Sequence, residues 1–280
     1  MSVAPSATGV GELVDLHCHI LPGLDDGART LDVSLAMARN AAADGVGTIV
    51  ATPHIFRDGR AFENGGSIGQ KCDELNSALG EAGIPVKILP GAEVHVSHDL
   101  IAEIRANKDC LVLNKSSYLF VEFPEDLIFS GTKDLFFELL SDGITPIIAH
   151  PERNSVFCRN PGILYELIHL GALAQANAGS LSGRYGSRAF ASVRGFLRWN
   201  LVHFLASDGH DDGHPGPWLS GAVLQAEPLV GRERALAMVR ENPLAVTVDR
   251  PLPDFPLPVP PKSGLKSFKI RIPNILRPKN

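Results

Sequence analysis

A chain of 280 residues with 44% hydrophobic and 20% charged residues can bury a large core, and belongs with globular rather than disordered proteins. Its formal charge of −5 gives no support to nucleic-acid binding. The N-terminus has no basic and apolar leader, no run reaches the length of a membrane span, and Cys18, Cys72, Cys110 and Cys158 are scattered without a CxxC spacing; a cytoplasmic protein with reduced thiols is expected.

Short apolar runs alternate with helical periodicity along the chain. Strands are expected at residues 12–17, 46–52, 86–93, 118–123, 144–150, 172–178 and 201–208. Between them, apolar residues recur at three- and four-residue spacing in 31–43, 101–105, 135–140, 163–170 and 189–199. Gly45, Gly83, Gly143 and Gly171 fall where helices should stop. Alternation of this kind argues for parallel strands covered by helices, and seven units suit a barrel better than a long open sheet. From Arg250 the composition changes to a proline-rich segment in which Lys and Arg outnumber a single Asp. It cannot continue helix or central strand, and is expected as an extended tail on the surface or hanging from it. Residues 1–249 then form the folded unit and 250–280 the tail, the only part suited to contact with an acidic membrane.

The unusual polar residues sit at the ends of these strands. "VDLHCHILPGLDDG" (14–27) places His17 and His19 two apart, on one face of an extended segment, followed by Asp25 and Asp26. His54 follows the second strand and Glu93 ends the third; Glu122 lies within the fourth. The fifth runs into "HPERN", with His150 and Arg153, and the seventh into Asp208 and His210. Each alone has an ordinary explanation: a satisfied loop histidine, a turn, a paired buried acid. Six strand ends each carrying His, Asp or Glu are not explained by independent turns, and in a parallel α/β barrel those ends share one face. His169 and His203, inside apolar periodic stretches, read as packed residues. The nine candidates His17, His19, Asp26, His54, Glu93, Glu122, His150, Asp208 and His210 form a nitrogen and oxygen donor set without thiolate. Such a set suits Mn²⁺, Fe²⁺ or Zn²⁺ in a catalytic site, and is large enough for about three ions if a carboxylate bridges. Phosphate-ester hydrolysis is the natural chemistry, with Arg153 gripping phosphate oxygens.

The ordered motifs "DLHCHILPGLDDG", "ATPH", "GAEVH", "VEF", "IIAHPERN" and "LASDGH" resemble the PHP (polymerase and histidinol phosphatase) superfamily. Within it, the likeness is to the bacterial metal-dependent protein-tyrosine phosphatases encoded with capsule and exopolysaccharide genes, over residues 12–249. The resemblance implies a distorted (β/α)7 barrel with three metals, usually manganese. It implies hydrolysis of phosphotyrosine on proteins by a metal-bridging hydroxide, the substrate being the tyrosine autokinase of polysaccharide export. Carried over by position, His17, His19, Glu93 and Asp208 hold one metal, Glu93, Glu122 and His150 a second, and Asp26, His54 and His210 a third. Asp208 and His210 thereby join Arg153 in the catalytic set. The second arginine that often follows the "SDxH" segment is missing; His214 stands near that place, and Arg57 is another candidate. None of the cysteines begins a C-x5-R signature of thiol-based phosphatases. His95, His98 and His214 are the histidines considered as proton donors to the leaving phenolate, though each reads first as a loop residue. The rival enzyme reading is a small-molecule phosphoesterase, such as a histidinol-phosphate phosphatase. A regulatory metal-binding module that docks on a kinase, and a nucleic-acid-processing enzyme, are the remaining readings; the first does not need open-sided ligands, and for the second the composition shows no basic surplus.

Overall fold

The computed structural model describes residues 13–56, 65–97, 99–211, 213, 218–253 and 255–261. Nine strands are present among them: β1 (Leu13–Cys18), β2 (Val46–Ala51), β3 (His54–Ile55), β4 (Lys87–Pro90), β5 (Glu93–His95), β6 (Tyr118–Glu122), β7 (Thr145–Ile148), β8 (Leu173–Asn177) and β9 (Phe204–Ala206). The helices are α1 (Leu31–Ala43), α2 (Gly65–Glu81), α3 (Leu100–Leu111), α4 (Thr132–Ser141), α5 (Ser155–Arg159), α6 (Pro161–Leu170), α7 (Ala178–Leu181), α8 (Gly186–Arg198), α9 (Leu219–Val230), α10 (Arg232–Ala237) and α11 (Glu241–Thr247). All strand pairs are parallel, in a three-stranded sheet β1-β2-β4 and a six-stranded sheet β3-β5-β6-β7-β8-β9. The result is a curled parallel half-barrel covered by helices. Its two edges meet at the carboxyl end, where Cys18 bridges Gly209, Asp208 N–H donates to His17 O at 2.9 Å and His19 N–H donates to Gly209 O at 2.8 Å.

Strand side chains alternate between two apolar layers, as the pleat requires. Leu16, Val50, Phe120, Ile147 and Phe204 fill the concave side, while Ile49, Val121, Ile148 and Leu205 pack outward among the helices. Near-continuous burial explains why these strands read as apolar runs rather than as alternating ones. Gly45, Gly83, Gly143 and Gly171 do end helices, with φ of 91, 65, 71 and 123°.

Two expectations change. The run 86–93 is not one strand but β4 and β5, broken at Gly91, where a Cβ would lie 2.8 Å from Leu113 Cδ2 and 2.9 Å from Val50 Cγ1. The break moves Glu93 from a strand end to the start of β5 and lets the added strand β3 pair with it, His54 opposite Glu93. His169 is exposed, its ring stacked on Tyr165 at 5.7 Å, because it lies on the outer face of α6. His203 is buried as expected. The described part of the tail lies against the body: Asn200 Nδ2 donates to Leu257 O (2.8 Å), Val259 N–H donates to Trp199 O (2.8 Å), and the Phe255 ring sits 4.5 Å from that of His203.

Two outcomes follow from this frame. The loop after β1 folds back so tightly that a Cβ on Gly27 would stand 2.1 Å from His19 O and 2.4 Å from His19 Cβ. Gly27→Ala should therefore cost roughly 1–3 kcal/mol in thermal or urea unfolding, with His19 displaced. His203 is neutral: burial, reinforced by Arg234, pushes it down to about 3, and its Nδ1 accepts the Ala174 N–H at 3.2 Å. Because the unfolded imidazole takes a proton near pH 6.5 and the folded one does not, this residue's contribution is intact above that pH. It is lost at about 1.4 kcal/mol per unit as pH falls from there toward 3. Urea unfolding across pH 4–7 should show a shallower slope for His203→Gln than for the parent.

Candidate metal centre

The carboxyl ends of the strands converge on a cleft of about 540 Å³, lined by Asp26, His54, Glu122, Phe123, His150, Arg153, Asp208 and His210 among others. His17 is the penultimate residue of β1, and its ring rests 5.0 Å from that of Phe120, the floor of the site. His19, Asp25 and Asp26 follow in the loop, while His54 and Glu93 enter on the short paired strands β3 and β5. Glu122 is the last residue of β6; His150 and Asp208 lie two residues beyond β7 and β9. His150 and Asp208 have φ of 28 and 52°, a left-handed backbone that non-glycine residues adopt at a cost, and which gathers at functional sites.

Glu93 is the hub. Its carboxylate is wholly buried, with Oε1 3.0 Å from His150 Nε2. Oε2 has no hydrogen bond of good geometry, yet lies 3.0 Å from His54 Nδ1, 3.4 Å from His17 Nε2 and 3.5 Å from His19 Nε2. His17 Nε2 and His19 Nε2 face each other at 3.2 Å, and each is about as close to Asp208 Oδ1, at 3.5 and 3.4 Å. Donor atoms come within 4.8 Å of one another in four groups: His19, Asp26, His54 and His210; His17, Glu93 and His150; His17, His19 and Asp208; His54, Glu93 and Glu122. All nine sequence candidates thus stand together, sharing His17, His19, His54 and Glu93 between groups.

The electrostatics are those of a cation site. Burial alone would raise the Glu93, Asp208 and Glu122 carboxyls. The surrounding imidazoles outweigh it and hold Glu93 and Asp208 well below the usual range, and Glu122 near 2. Burial opposes charge on His54, but Glu122 and Glu93 lift it to about 9. So many anionic oxygens and ring nitrogens aimed at shared points, with no thiolate, fit hard or borderline divalent ions.

A second layer was not legible as such in the sequence. Asp25 Oδ2 lies 2.7 Å from His19 Nδ1 and accepts the His54 N–H at 3.1 Å, while Oδ1 accepts the Gly27 N–H at 2.9 Å. Strand β8 offers no candidate ligand but fixes several. Gln175 Oε1 is 3.1 Å from His17 Nδ1, so the other ring nitrogen turns to the cluster; Gln175 Nε2 donates to Asn177 Oδ1, and Asn177 Nδ2 donates to Asp208 Oδ2 at 2.6 Å. Outer partners of this kind set ligand tautomer and orientation. Two amides two residues apart, in an otherwise apolar strand of "ALAQANA", were the available signal. His95, weighed as a proton donor, has Nδ1 3.3 Å from Glu122 Oε2; His98, His214 and Arg57 lie outside the described residues.

"HPERN" divides into distinct tasks. His150 faces Glu93. Glu152 is buried, its Oε1 accepting the Asn177 N–H (2.9 Å) and the Ser180 hydroxyl (2.6 Å). Arg153 reaches the cleft with Nη1 3.1 Å from Asp208 Oδ2 and Nη2 3.5 Å from Glu125 Oε1, its guanidinium 4.8 Å above the Tyr185 ring. Asn154 caps α5, its Oδ1 accepting the N–H groups of Val156 (2.9 Å) and Phe157 (3.0 Å).

Residues 13–247 match the family described as capsular polysaccharide synthesis, CpsB/CapC. The chain is 39% identical over 199 residues to the tyrosine-protein phosphatase YwqE of Bacillus subtilis, covering 71% of this chain and 78% of that one. It is 30% identical over 236 residues to the tyrosine-protein phosphatase CpsB of Streptococcus agalactiae serotype V, covering 82% and 96%. Among solved structures, one from work on YwqE of B. subtilis and CpsB of Streptococcus pneumoniae, described as metal-dependent tyrosine phosphatases, superposes with a TM-score of 0.83 at 34% identity, covering 90% of this chain and all of that one. With the fold, the clustered donors and these likenesses together, this chain belongs to the CpsB/CapC family of capsular polysaccharide synthesis.

Proposed function

We propose that the protein is a metal-dependent protein-tyrosine phosphatase, a phosphoric monoester hydrolase acting on phosphotyrosine in a protein substrate. The observation that carries the reading is the buried Glu93 carboxylate ringed by His17, His19, His54 and His150, beside an arginine that points into an open cleft. The relatives named as tyrosine-protein phosphatases favour it over the histidinol-phosphate reading. The nine donors are proposed to hold three divalent ions, with Mn²⁺ as the resident metal. When bound, such ions activate water near neutral pH and offset charge on the phosphoryl group.

The chain's own residues supply the rest. Arg153, already held by Asp208 and by the Tyr185 ring, presents guanidinium N–H groups to the non-bridging phosphoryl oxygens and lowers the barrier as their charge grows. Asn177 keeps Asp208 turned toward His17 and His19 rather than toward the substrate. Phe123 and Phe157 give the cleft an apolar wall for an aryl leaving group. A phenolate leaves well enough to need no strong general acid. The fold that goes with this reading is the distorted (β/α)7 barrel: if β2 with β3, and β4 with β5, count as single broken strands, seven positions run round to the Cys18–Gly209 bridge. The phosphoprotein proposed is the tyrosine autokinase of polysaccharide export, met in the cytoplasm; no helix among the described residues is long and apolar enough to cross a membrane.

The deciding assay offers purified protein with Mn²⁺ a phosphotyrosyl peptide and histidinol phosphate; the peptide should be preferred, and the reverse preference would overturn the substrate class. Arg153→Ala should lower kcat/KM for the peptide by on the order of 10²–10³ while leaving bound metal, read by elemental analysis, unchanged. His150→Ala should abolish turnover and reduce the metal count with the far-ultraviolet circular dichroism retained. Full activity in that variant would exclude His150 as a ligand.

A further inference from the structure

Within the folded body of this acidic chain, residues 155–203 carry a surplus of positive charge. They contain Arg159, Arg184, Arg188, Arg194 and Arg198 and one acid, Glu166, which is taken up by Lys133 at 3.0 Å. The arginines fall on one side. Ala189, Val193, Phe196 and Leu197 bury the inner face of α8, leaving Arg188, Arg194 and Arg198 to the outer face, with Arg184 just before the helix. Arg159, at the end of α5, is exposed beside them; Cys158 lies between, next to Ser192 and Arg188. Among the described residues, Arg159, Arg188, Arg194 and Arg198 have no carboxylate partner: Arg159 donates to Ser155 Oγ and Arg194 lies over the Phe190 ring at 5.2 Å.

This surface is continuous with the cleft. Tyr185, which opens α8, carries the Arg153 guanidinium on its ring, and α5 follows Arg153 and Asn154 directly. Acidic groups also stand at the cleft: Glu125 and Asp126 are exposed, Glu125 beside Arg153 at 3.5 Å, and Asp26 is exposed. Resting on the phosphatase reading above, we propose that the outer face of α8, with Arg159, is an electrostatic docking surface for an acidic stretch flanking the substrate's phosphotyrosine. Exposed arginines gain little from static pairing, but an uncompensated set of one sign raises encounter and selects the partner's charge.

The test compares the parent with an R188E/R194E/R198E variant of the full chain, its folding checked by thermal melting. A small aryl phosphate, which cannot reach α8, should be hydrolysed by both with kcat/KM within about twofold. For a phosphotyrosyl peptide with glutamate-rich flanks, the variant's KM should rise on the order of tenfold with kcat held, and the parent's advantage should vanish near 0.5 M salt, where screening is short-ranged. A peptide with lysine-rich flanks should not suffer. Equal effects on all three substrates, or none on the acidic peptide, would overturn the docking surface. So would arginine-dependent binding to phosphatidylglycerol vesicles without any effect on peptides, which assigns the face to a lipid surface. Absence of turnover by the parent on every substrate sinks the phosphatase reading instead; the surface is then judged by fluorescence anisotropy of the unphosphorylated acidic peptide, where binding lost in the variant supports it and equal binding refutes it.

Discussion

The structure turns on a carboxylate that should not be where it is. Glu93 is wholly removed from water, and an isolated buried carboxylate would simply take up a proton. It stays ionised because four histidines on separate strands and loops surround it. The cluster is thus stable only as a set. One conflict remains, most acute where His17 Nε2 and His19 Nε2 face one another at hydrogen-bond distance, a contact that allows only one of them to donate and that a shared cation would relieve.

Holding such a set together demands unusual backbone. The curled sheet brings its strand ends to one side, but uniform strands would not place Glu93 and His54 against each other. The break at Gly91 does so, by ending β4 and restarting the chain as β5 in the second sheet, where β3 pairs with it. His150 and Asp208 adopt left-handed φ just after their strands, turning their side chains back into the cleft. Rigid packing beneath, from Phe120 and the apolar layer around it, leaves the ligands little room to relax.

This division explains what was legible from the amino-acid order. Some helix positions followed from periodicity, as in α1, whose bounds coincide with the expected 31–43, while α2 (Gly65–Glu81) and α9 (Leu219–Val230) had no expected counterpart. The donor set was legible because polar residues at the ends of apolar strands violate the pattern around them. The broken strand 86–93 was not: its apolar run continues through the break, and the tight contact of Gly91 with Leu113 and Val50 is a tertiary property. Likewise His169 lies within an apolar helix yet faces outward, since periodicity assigns a face only to within one residue either side. Gln175, Asn177 and Glu152 escaped because amides and a lone acid carry no ligand signature; their role exists only relative to His17, Asp208 and each other.

The supporting layer also bears on why Arg153 can serve alone in the described part of the cleft. A single guanidinium binds phosphate well only if its plane is already set, since side-chain freedom lost on binding otherwise cancels the gain. Here three contacts set it: Asp208 on one nitrogen, Glu125 near the other, and the Tyr185 ring against its face. Asp208 is in turn fixed by Asn177, and Asn177 by Gln175 and Glu152. The Arg153 guanidinium and the His17 ring are therefore both anchored through the same strand, β8, which itself offers no candidate ligand. A disturbance in β8 reaches the donor cluster and the Arg153 guanidinium together.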